Sequence, residues 1–386
     1  SIEFQIEVGS FFDAKEFVPI TNAHVMGDIE VMGDGGLGIL EKMSNSEVKC
    51  RVPTSSNARC MHFGDFDNLR ADEVEVQKER KIIGYLKDMN IVPTDTCINY
   101  QTIMAPVYGE HLAFGDTGVV IYSNSVCGAR SNFEGGPSAL AAGLTGRTPR
   151  YGYHLDLHRK PTHRFKTSWT PQTLNEWGAL GGLIGKKSGN YWSVPVLEGI
   201  EGHPGSDAMK HFGAAMASFG STALFHVLGI TPEALHARDL EYLHLPEVLI
   251  TKEEVMGLQN SYRIAEEIDV VVFSAPQLSL MEMKSIAELC NGKKFIKPLL
   301  AMTSPQVKPD SDRMGYTEMI ESAGGTVFSG MCFYQSYARE IAETNGWKVL
   351  ATNSAKIVNI LGGYGYTPML ASMEDCVQAA VTGRLK

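Results

Sequence analysis

Four short apolar runs in the last third of the chain decide the fold: Val-Val-Val-Phe at 270–273, Pro-Leu-Leu-Ala-Met at 298–302, Thr-Val-Phe-Ser at 326–329 and Lys-Val-Leu-Ala at 348–351. Stretches of helical length separate these runs. Strands that alternate with helices at this spacing are typical of a parallel sheet that is covered by helices. The sequence therefore predicts a three-layer α/β fold with mainly parallel sheets.

Small and polar residues follow each of these runs, as in Gly330-Met331-Cys332 and Thr352-Asn353-Ser354. The carboxyl ends of parallel strands meet at one edge of a sheet, where ligand sites form. We therefore expect Cys332, Ser354 and Lys356 to face a common crevice. The alternative is that the Ser and Asn side chains only cap the helices that follow.

A second informative stretch is Val119–Gly136, which begins with the β-prone run Val119–Tyr122. This run predicts a strand, and the small polar residues after it predict a loop at a site. The loop offers hydroxyl, amide, thiol and guanidinium groups, on Ser123, Asn124, Ser125, Cys127, Arg130 and Asn132. The alternative is a glycine-rich connector with a buried structural cysteine.

Three polar loops nearer the N-terminus could contribute to the same site. His24 follows a short strand-like run, although a loop histidine held by hydrogen bonds is the simpler interpretation from sequence alone. Ser55 and Asn57 come directly after another such run and lie close to Cys60. Cys97 lies in a third compact polar loop, at residues 93–100.

Length and composition limit the class of protein. The chain has 386 residues, 44% hydrophobic and 20% charged, which indicates a globular protein of two or three domains. We expect an N-terminal α/β region at 1–150, a middle region at 151–235 and a C-terminal α/β domain at 236–386. The formal charge of −10 argues against nucleic-acid and anionic-membrane partners. No signal-peptide pattern opens the chain, so we expect a cytoplasmic protein.

The cysteines do not form a recognisable framework. There are seven, without any Cys-x-x-Cys pair, which is unlike a disulfide scaffold or a zinc ribbon. Isolated cysteines are usually inert core residues. Three of them, brought together by folding, could instead hold an iron–sulfur cluster.

Several long motifs resemble the aconitase X family. They are the Ser123–Gly136 loop with its continuation at 137–149, Asp95–Tyr100, Leu224–Ala234 and Thr352–Lys356. The resemblance implies the catalytic α/β portion of an aconitase-like enzyme, to which a small swivel domain or subunit is added. No swivel-like segment is visible here, so we expect a partner chain or a removed segment. Two activities are implied: dehydration of mevalonate 5-phosphate with a three- or four-iron cluster, or of cis-3-hydroxy-L-proline to Δ1-pyrroline-2-carboxylate with a two-iron cluster.

One segment departs from the phosphomevalonate branch of this family. That branch carries Gly-Cys-Pro-His where this chain has Ser274-Ala275-Pro276-Gln277, so one thiol is missing there. Residues 330–335 resemble the hydroxyproline branch instead. The resemblance therefore favours a hydro-lyase that acts on cis-3-hydroxy-L-proline, with a 2Fe–2S cluster. The expected iron ligands are Cys127 and Cys332, then Cys60 and Cys97.

Dehydration of a hydroxy acid suggests further roles. Arg130 suits a substrate carboxylate because guanidinium binds carboxylate through two hydrogen bonds. His24, Lys356 or Ser125 could remove the α-proton. Polar side chains that could bind the substrate are Ser55, Asn57, Ser123, Asn124, Asn132 and Ser354.

Two other classes of function fit the sequence less well. A nicotinamide-dependent oxidoreductase would need a strand–GxGxxG–helix unit, which the sequence lacks. A non-catalytic scaffold subunit would leave the polar, thiol-bearing strand ends unexplained. Within the family, phosphomevalonate dehydration is the alternative to the hydroxyproline activity.

Overall fold

The structure is a computed structural model that describes residues 1–64, 69, 72–236 and 241–385. Three parallel sheets, each with its own helices, follow one another along these residues. The α/β fold class expected from the sequence is confirmed.

The first sheet has the strand order β4-β3-β2-β5 and is parallel throughout. A separate antiparallel pair joins β1 to β6. The elements of this part, in chain order, are α1 (Ile2–Phe11), β1 (Phe17–Pro19), β2 (Ala23–Val25), α2 (Ile29–Asn45), β3 (Thr54–Ser56), α3 (Glu73–Asp88), β4 (Ile91–Val92), α4 (Asn99–Thr102), β5 (Ala113–Phe114), α5 (Thr117–Ser125), α6 (Pro137–Thr145) and β6 (Arg147–Pro149).

The second sheet has the order β10-β7-β8-β9 and is also parallel. Its elements are β7 (His163–Thr167), α7 (Leu174–Ser188), β8 (Pro195–Glu198), α8 (Ser206–Gly220), β9 (His226–Val227), β10 (Glu247–Ile250) and α9 (Lys252–Ser261). β10 lies beyond residue 235, yet it pairs with β7 and so adds to the sheet of the middle region.

The third sheet has five parallel strands in the order β13-β12-β11-β14-β15. Its elements are β11 (Val270–Leu278), α10 (Leu280–Cys290), β12 (Leu299–Thr303), α11 (Lys308–Arg313), α12 (Tyr316–Ser322), β13 (Thr326–Ser329), α13 (Ala338–Asn345), β14 (Val349–Thr352), α14 (Ala355–Leu361), β15 (Thr367–Leu370) and α15 (Met373–Thr382). The four predicted runs are strands here, and the central strand β11 is buried along its whole length. The fifth strand, β15, was not predicted.

The strand predicted at Val119–Tyr122 is wrong, because these residues belong to the buried helix α5. A short apolar run does not distinguish a buried strand from a buried helix segment. Asp116 decides the outcome locally: its carboxylate accepts hydrogen bonds from the backbone N–H groups of Gly118 and Val119 at 2.8 and 3.1 Å, and so begins the helix.

Close contact between α7 and α8 explains the glycines at 178–185. The sequence suggested a close-packed turn region, but these residues lie inside α7. A Cβ atom on Gly181 would be 2.1 Å from the backbone oxygen of Phe212, and one on Gly185 would be 2.5 Å from that of Met216. Only glycine permits the two helices to approach so closely.

Candidate active site

Two cysteines from distant parts of the chain meet in the interior. Cys97 precedes α4, Cys332 follows β13, and neither is more than 5% exposed. Their thiols share a hydrogen bond. The first and third sheets thus contribute one sulfur each to a common site.

A bulge in β11 holds both thiols. The pairing of β11 with β12 shifts register between Phe273 and Leu278. Within this bulge, the backbone N–H of Gln277 donates to Cys97 Sγ at 3.3 Å, and its side-chain oxygen accepts the Cys97 N–H at 3.0 Å. At the other end of the bulge, Ser274 Oγ lies 3.6 Å from Cys332 Sγ.

The environment shifts the pKa values of the Cys97 and Cys332 thiols in opposite directions. Burial alone would raise the pKa of Cys332, but the Cys97 hydrogen bond, the charge of Lys356 and the Ser274 hydroxyl bring this pKa below its ordinary value. The hydrogen bond to Cys332, followed by burial, raises the pKa of Cys97 well above its ordinary value. Each sulfur atom therefore alters the pKa of the other.

A lysine and a carboxylate lie beside the thiol pair. Lys356 Nζ is 3.7 Å from Asp116 Oδ2, and both side chains are buried. Tyr334 donates its hydroxyl hydrogen to the same carboxylate oxygen at 3.3 Å, and its ring lies below the Lys356 ammonium, 4.9 Å from the ring centroid. Asp116 and Tyr334 therefore fix the position of a cation next to Cys332.

A buried histidine, His24, is the last polar side chain of the candidate site. Register in the first sheet pairs His24 with Ser55, and Nδ1 of the ring lies 2.7 Å from the Ser55 hydroxyl. Nε2 lies 3.3 Å from Asn57 Oδ1, which can only accept, so Nε2 carries the hydrogen and Nδ1 accepts from Ser55. Burial lowers the pKa of His24 to about 4. The ring also contacts the backbone of Thr96, the neighbour of Cys97.

An ion-pair network connects the first sheet to the Cys332 loop. The buried Arg59 guanidinium pairs with Glu79 at 2.9 Å and with Asp95 at 3.0 Å. The backbone N–H of Arg59 donates to the Gly330 oxygen at 2.8 Å. This connection sets the position of the segment that carries Cys332 relative to Asn57, which directly follows β3.

Cys127 and Arg130 lie at the other end of α5. The helix runs from Thr117, directly after its cap Asp116, to Ser125, so about 13 Å of helix separates Cys127 from Asp116. Arg130 forms an ion pair with Asp156 and donates to the His154 backbone oxygen at 3.1 Å. The structure does not place Cys127 with Cys332, nor Arg130 with the thiol pair.

The polar side chains of the 123–132 loop hold the backbone in place. Ser123 donates to the Val119 oxygen, and Ser125 accepts the Phe225 N–H. Asn124 makes three hydrogen bonds to the backbone of Ser131 and Ala223. Asn132 bonds to residues 151, 153 and 191.

The remaining predicted residues are divided between the core and the site. Cys60 is buried in an apolar cluster with Val25 and Leu40. Ser354 caps α14 and donates to the Ala275 oxygen at 2.6 Å, so it supports the β11 bulge. Lys356, predicted for the same crevice as Cys332, lies near enough for its charge to lower the pKa of that thiol.

Sequence reasoning missed Asp116, Tyr334, Ser274 and Gln277 as parts of the site. A signal for Asp116 was present, because Asp before a Thr-Gly pair and an apolar run is typical of a helix N-cap. Because Val119–Tyr122 was interpreted as a strand, this helix cap was not recognised. Ser274 and Gln277 follow a predicted strand but were considered only as a departure from a family motif.

Within the described residues, no group of three or more His, Cys, Asp or Glu side chains is arranged to hold a metal ion. Of these residue types, the thiol pair of Cys97 and Cys332 is the arrangement that the site offers. No helix in the described ranges is both long enough and apolar enough to cross a membrane.

Comparison with known families accounts for the whole fold. Models of the first, second and third domains of aconitase X match residues 1–157, 161–259 and 268–382. The chain belongs to the aconitase X family. The resemblance noted in the sequence is thereby confirmed.

Relatives and a solved structure agree with this assignment. The phosphomevalonate dehydratase large subunit of Methanocaldococcus jannaschii is 36% identical, over 91% of this chain and 87% of its own length. The cis-3-hydroxy-L-proline dehydratase of Pseudomonas aeruginosa is 27% identical, over 96% of this chain and 65% of its own length. The crystal structure of Thermococcus kodakaraensis aconitase X in its holo-form matches with a TM-score of 0.87 and 31% identity, covering 98% of this chain and 94% of the other. This aconitase X protein is a dehydratase.

Proposed function

We propose that this protein is the large, catalytic subunit of a hydro-lyase that removes water from a small 3-hydroxy carboxylate. The observation that carries the proposal is that a thiol pair, a lysine held by Asp116 and Tyr334, and a neutral histidine lie in one buried site. Dehydration needs a base for the α-proton and assistance for the departing hydroxyl group. The three groups match these needs.

Cys97 and Cys332 suit an iron–sulfur cluster, because they are both buried and their thiols share a hydrogen bond. We propose that they are two of its ligands, and that the cluster is of the 2Fe–2S type, since two thiols rather than three or four meet in the described site. When bound, the cluster supplies a Lewis acid for the substrate hydroxyl or carboxylate.

His24 is the base that we propose. Its pKa of about 4 keeps the ring neutral at physiological pH, as a proton acceptor must be. Since Asn57 fixes the Nε2 hydrogen, the free electron pair lies on Nδ1, which already accepts from the Ser55 hydroxyl. Ser55 can therefore take the α-proton from the substrate while it passes its own proton to His24.

Lys356 is the group that we propose for the substrate carboxylate. It is the cation beside Cys332, and Asp116 and Tyr334 hold it in place. Positive charge next to the carboxylate stabilises the enolate-like charge that develops when the α-proton leaves. Asp116 and Tyr334 act through Lys356 and are positioning residues.

Mevalonate 5-phosphate is the first substrate that we propose. The relative named for phosphomevalonate is 36% identical and matches along 87% of its length, whereas the hydroxyproline relative is 27% identical. cis-3-Hydroxy-L-proline, which the sequence favoured, is the second candidate, because Ala275 stands where the resemblance places a phosphomevalonate-branch cysteine. Both compounds carry a hydroxyl group on the carbon next to the α-carbon, so the chemistry is the same.

A small subunit is the partner that we propose. Relatives of similar length are named large subunits, which implies a second chain in those enzymes. The protein should therefore be assayed together with a small subunit encoded in its own genome.

The test is anaerobic turnover by the two-chain enzyme after reconstitution with iron and sulfide. Mass spectrometry would measure loss of one water molecule from each of the two substrates, with Lys356→Met as the inactive control. We expect turnover of one substrate, and a fall of about 100-fold or more in the variant. Absence of water loss from both compounds, with iron bound, would refute the proposed substrates.

A further inference from the structure

The described site has two thiols for the iron–sulfur cluster that we propose. A third protein ligand for this cluster has to come from another type of side chain. No third His, Cys, Asp or Glu among the described residues joins Cys97 and Cys332 in a metal-binding arrangement. Ala275, at the centre of the β11 bulge, has only a methyl side chain and is fully buried. The side-chain oxygen that forms a hydrogen bond with a sulfur of the pair is the Ser274 hydroxyl oxygen.

Ser274 is positioned as a ligand would be. Its Oγ lies 3.6 Å from Cys332 Sγ, and the residue is 2% exposed. The backbone N–H of Phe333 donates to this oxygen at 3.1 Å, and the hydroxyl shares a hydrogen bond with the Cys332 sulfur in which either group can donate. The hydroxyl therefore has no carbonyl or carboxylate acceptor among its described contacts that iron would have to displace.

The backbone around Ser274 is fixed by the same contacts that fix the thiols. Gln277, three residues later in the bulge, bonds to Cys97 through both its backbone and its side chain. The buried ammonium of Lys210 donates to the Gln277 carbonyl oxygen at 3.1 Å. The Ser354 hydroxyl donates to the Ala275 carbonyl oxygen at 2.6 Å. The bulge thus presents Ser274 to Cys332 as a preformed arrangement.

We propose that Ser274 Oγ is the third protein ligand of the iron–sulfur cluster, so that this chain binds iron through two sulfur atoms and one oxygen atom. The inference rests on the cluster proposed above and concerns its ligand set. On binding, an Fe–O bond forms and the Ser274 hydroxyl releases one proton to solvent, as each cysteine thiol does. The iron is neither oxidised nor reduced in this step.

The test compares four proteins that are reconstituted anaerobically with ferrous iron and sulfide: wild type, Ser274→Ala, Ser274→Cys and the control Ser311→Ala. Ser311 is a fully buried serine in α11 whose hydroxyl contacts only Thr317 among the partners described. Iron and acid-labile sulfide per chain would be measured, and X-ray absorption at the iron edge would count oxygen and sulfur neighbours. Circular dichroism would confirm that each chain is folded.

We expect Ser274→Ala to retain less than about a third of the wild-type iron, and Ser311→Ala to retain all of it. Ser274→Cys should bind iron with one oxygen neighbour replaced by sulfur. That replacement separates a ligand from a residue that only positions Cys332, because a positioning residue would leave the neighbour count unchanged.

Three results would count against the proposals. Two of them would overturn only the Ser274 ligand, and the third would overturn the cluster. Full iron and an unchanged spectrum in Ser274→Ala would remove Ser274 as a ligand and leave the proposed function intact. Iron binding by Ser274→Cys without an added sulfur neighbour would also overturn the ligand proposal. Absence of iron from the folded wild-type chain would refute the cluster itself, and with it the metal-dependent part of the proposed function.

Discussion

The two ends of α5 carry similar kinds of side chain but have different surroundings. At its N-terminus, Asp116 lies with Lys356 and Tyr334, next to Cys332. At its C-terminus, Cys127 is half-buried by itself, and Arg130 is neutralised by Asp156. A thiol and a cation occur at both ends, but only at the N-terminal end do they meet a second thiol. Residue type therefore indicates possible chemistry, and the contacts between elements select where it occurs.

The largest difference between the two ends should be in iron binding. Cys97→Ser and Cys332→Ser should each reduce the iron content after anaerobic reconstitution by about tenfold or more, because each removes a proposed ligand. Cys127→Ser should bind as much iron as the wild type. Loss of iron from a folded Cys127→Ser variant would instead assign the cluster to the C-terminal end of α5.

The next largest difference should be in turnover. Lys356→Met should lower kcat by about 100-fold or more, since it removes the cation that stabilises the developing negative charge. Arg130→Met should change kcat by less than about threefold, because Arg130 is engaged by Asp156 far from the thiol pair. Steady-state kinetics would measure kcat for both variants with iron bound. Equal losses of kcat would show that both ends of α5 act in catalysis.

The pH dependence should reflect the buried position of His24. Its pKa is lowered to about 4 by burial, so the ring is neutral and able to accept a proton down to that pH. The rate should therefore show no inflection near pH 6.5, where an ordinary histidine titrates. His24→Gln should lower kcat by about 100-fold at all pH values. An acidic limb near pH 6.5 in the wild type would contradict the assignment of His24 as the base.

The C-terminal end of α5 should show its importance in stability. Asn124→Ala should lower the free energy of unfolding by about 3 kcal/mol, because it leaves buried backbone groups of Ser131 and Ala223 without their partners. Denaturant unfolding would measure the change. Iron content in the folded variant should match the wild type, and its loss would contradict a purely structural role.

The last expected effect concerns Glu134, in the loop after α5, and it depends on pH. Burial raises its pKa to about 7, whereas an unfolded chain ionises near 4.5, so the fold loses stability as the pH rises through this interval. Glu134→Gln keeps an acceptor for the Thr148 hydroxyl and removes the charge. The variant should equal the wild type in stability at pH 4 and exceed it at pH 8 by about 3 kcal/mol, the free energy that corresponds to this difference in pKa. Thermal unfolding of both proteins at pH 4 and pH 8 would test whether the variant gains stability relative to the wild type as the pH rises.

The sequence by itself determined the parallel sheet of the last third, since β-branched and apolar runs at regular spacing are a local signal. It also identified Cys332, Cys97, Lys356 and His24 as candidates, because their positions after strand-like or polar segments are local as well. Local signals could not separate these residues from Cys127 and Arg130, which occur in an equally polar segment.

Only the tertiary structure decided which candidates meet. The helical state of Thr117–Ser125 depends on burial against α8 and on the cap at Asp116, and neither follows from an apolar run of this length. The contact between Cys97 and Cys332 depends on how the first and third sheets dock, through Arg59 and the β11 bulge. Such long-range packing is set by shape and by buried charge across the whole molecule, so no window of sequence contains it.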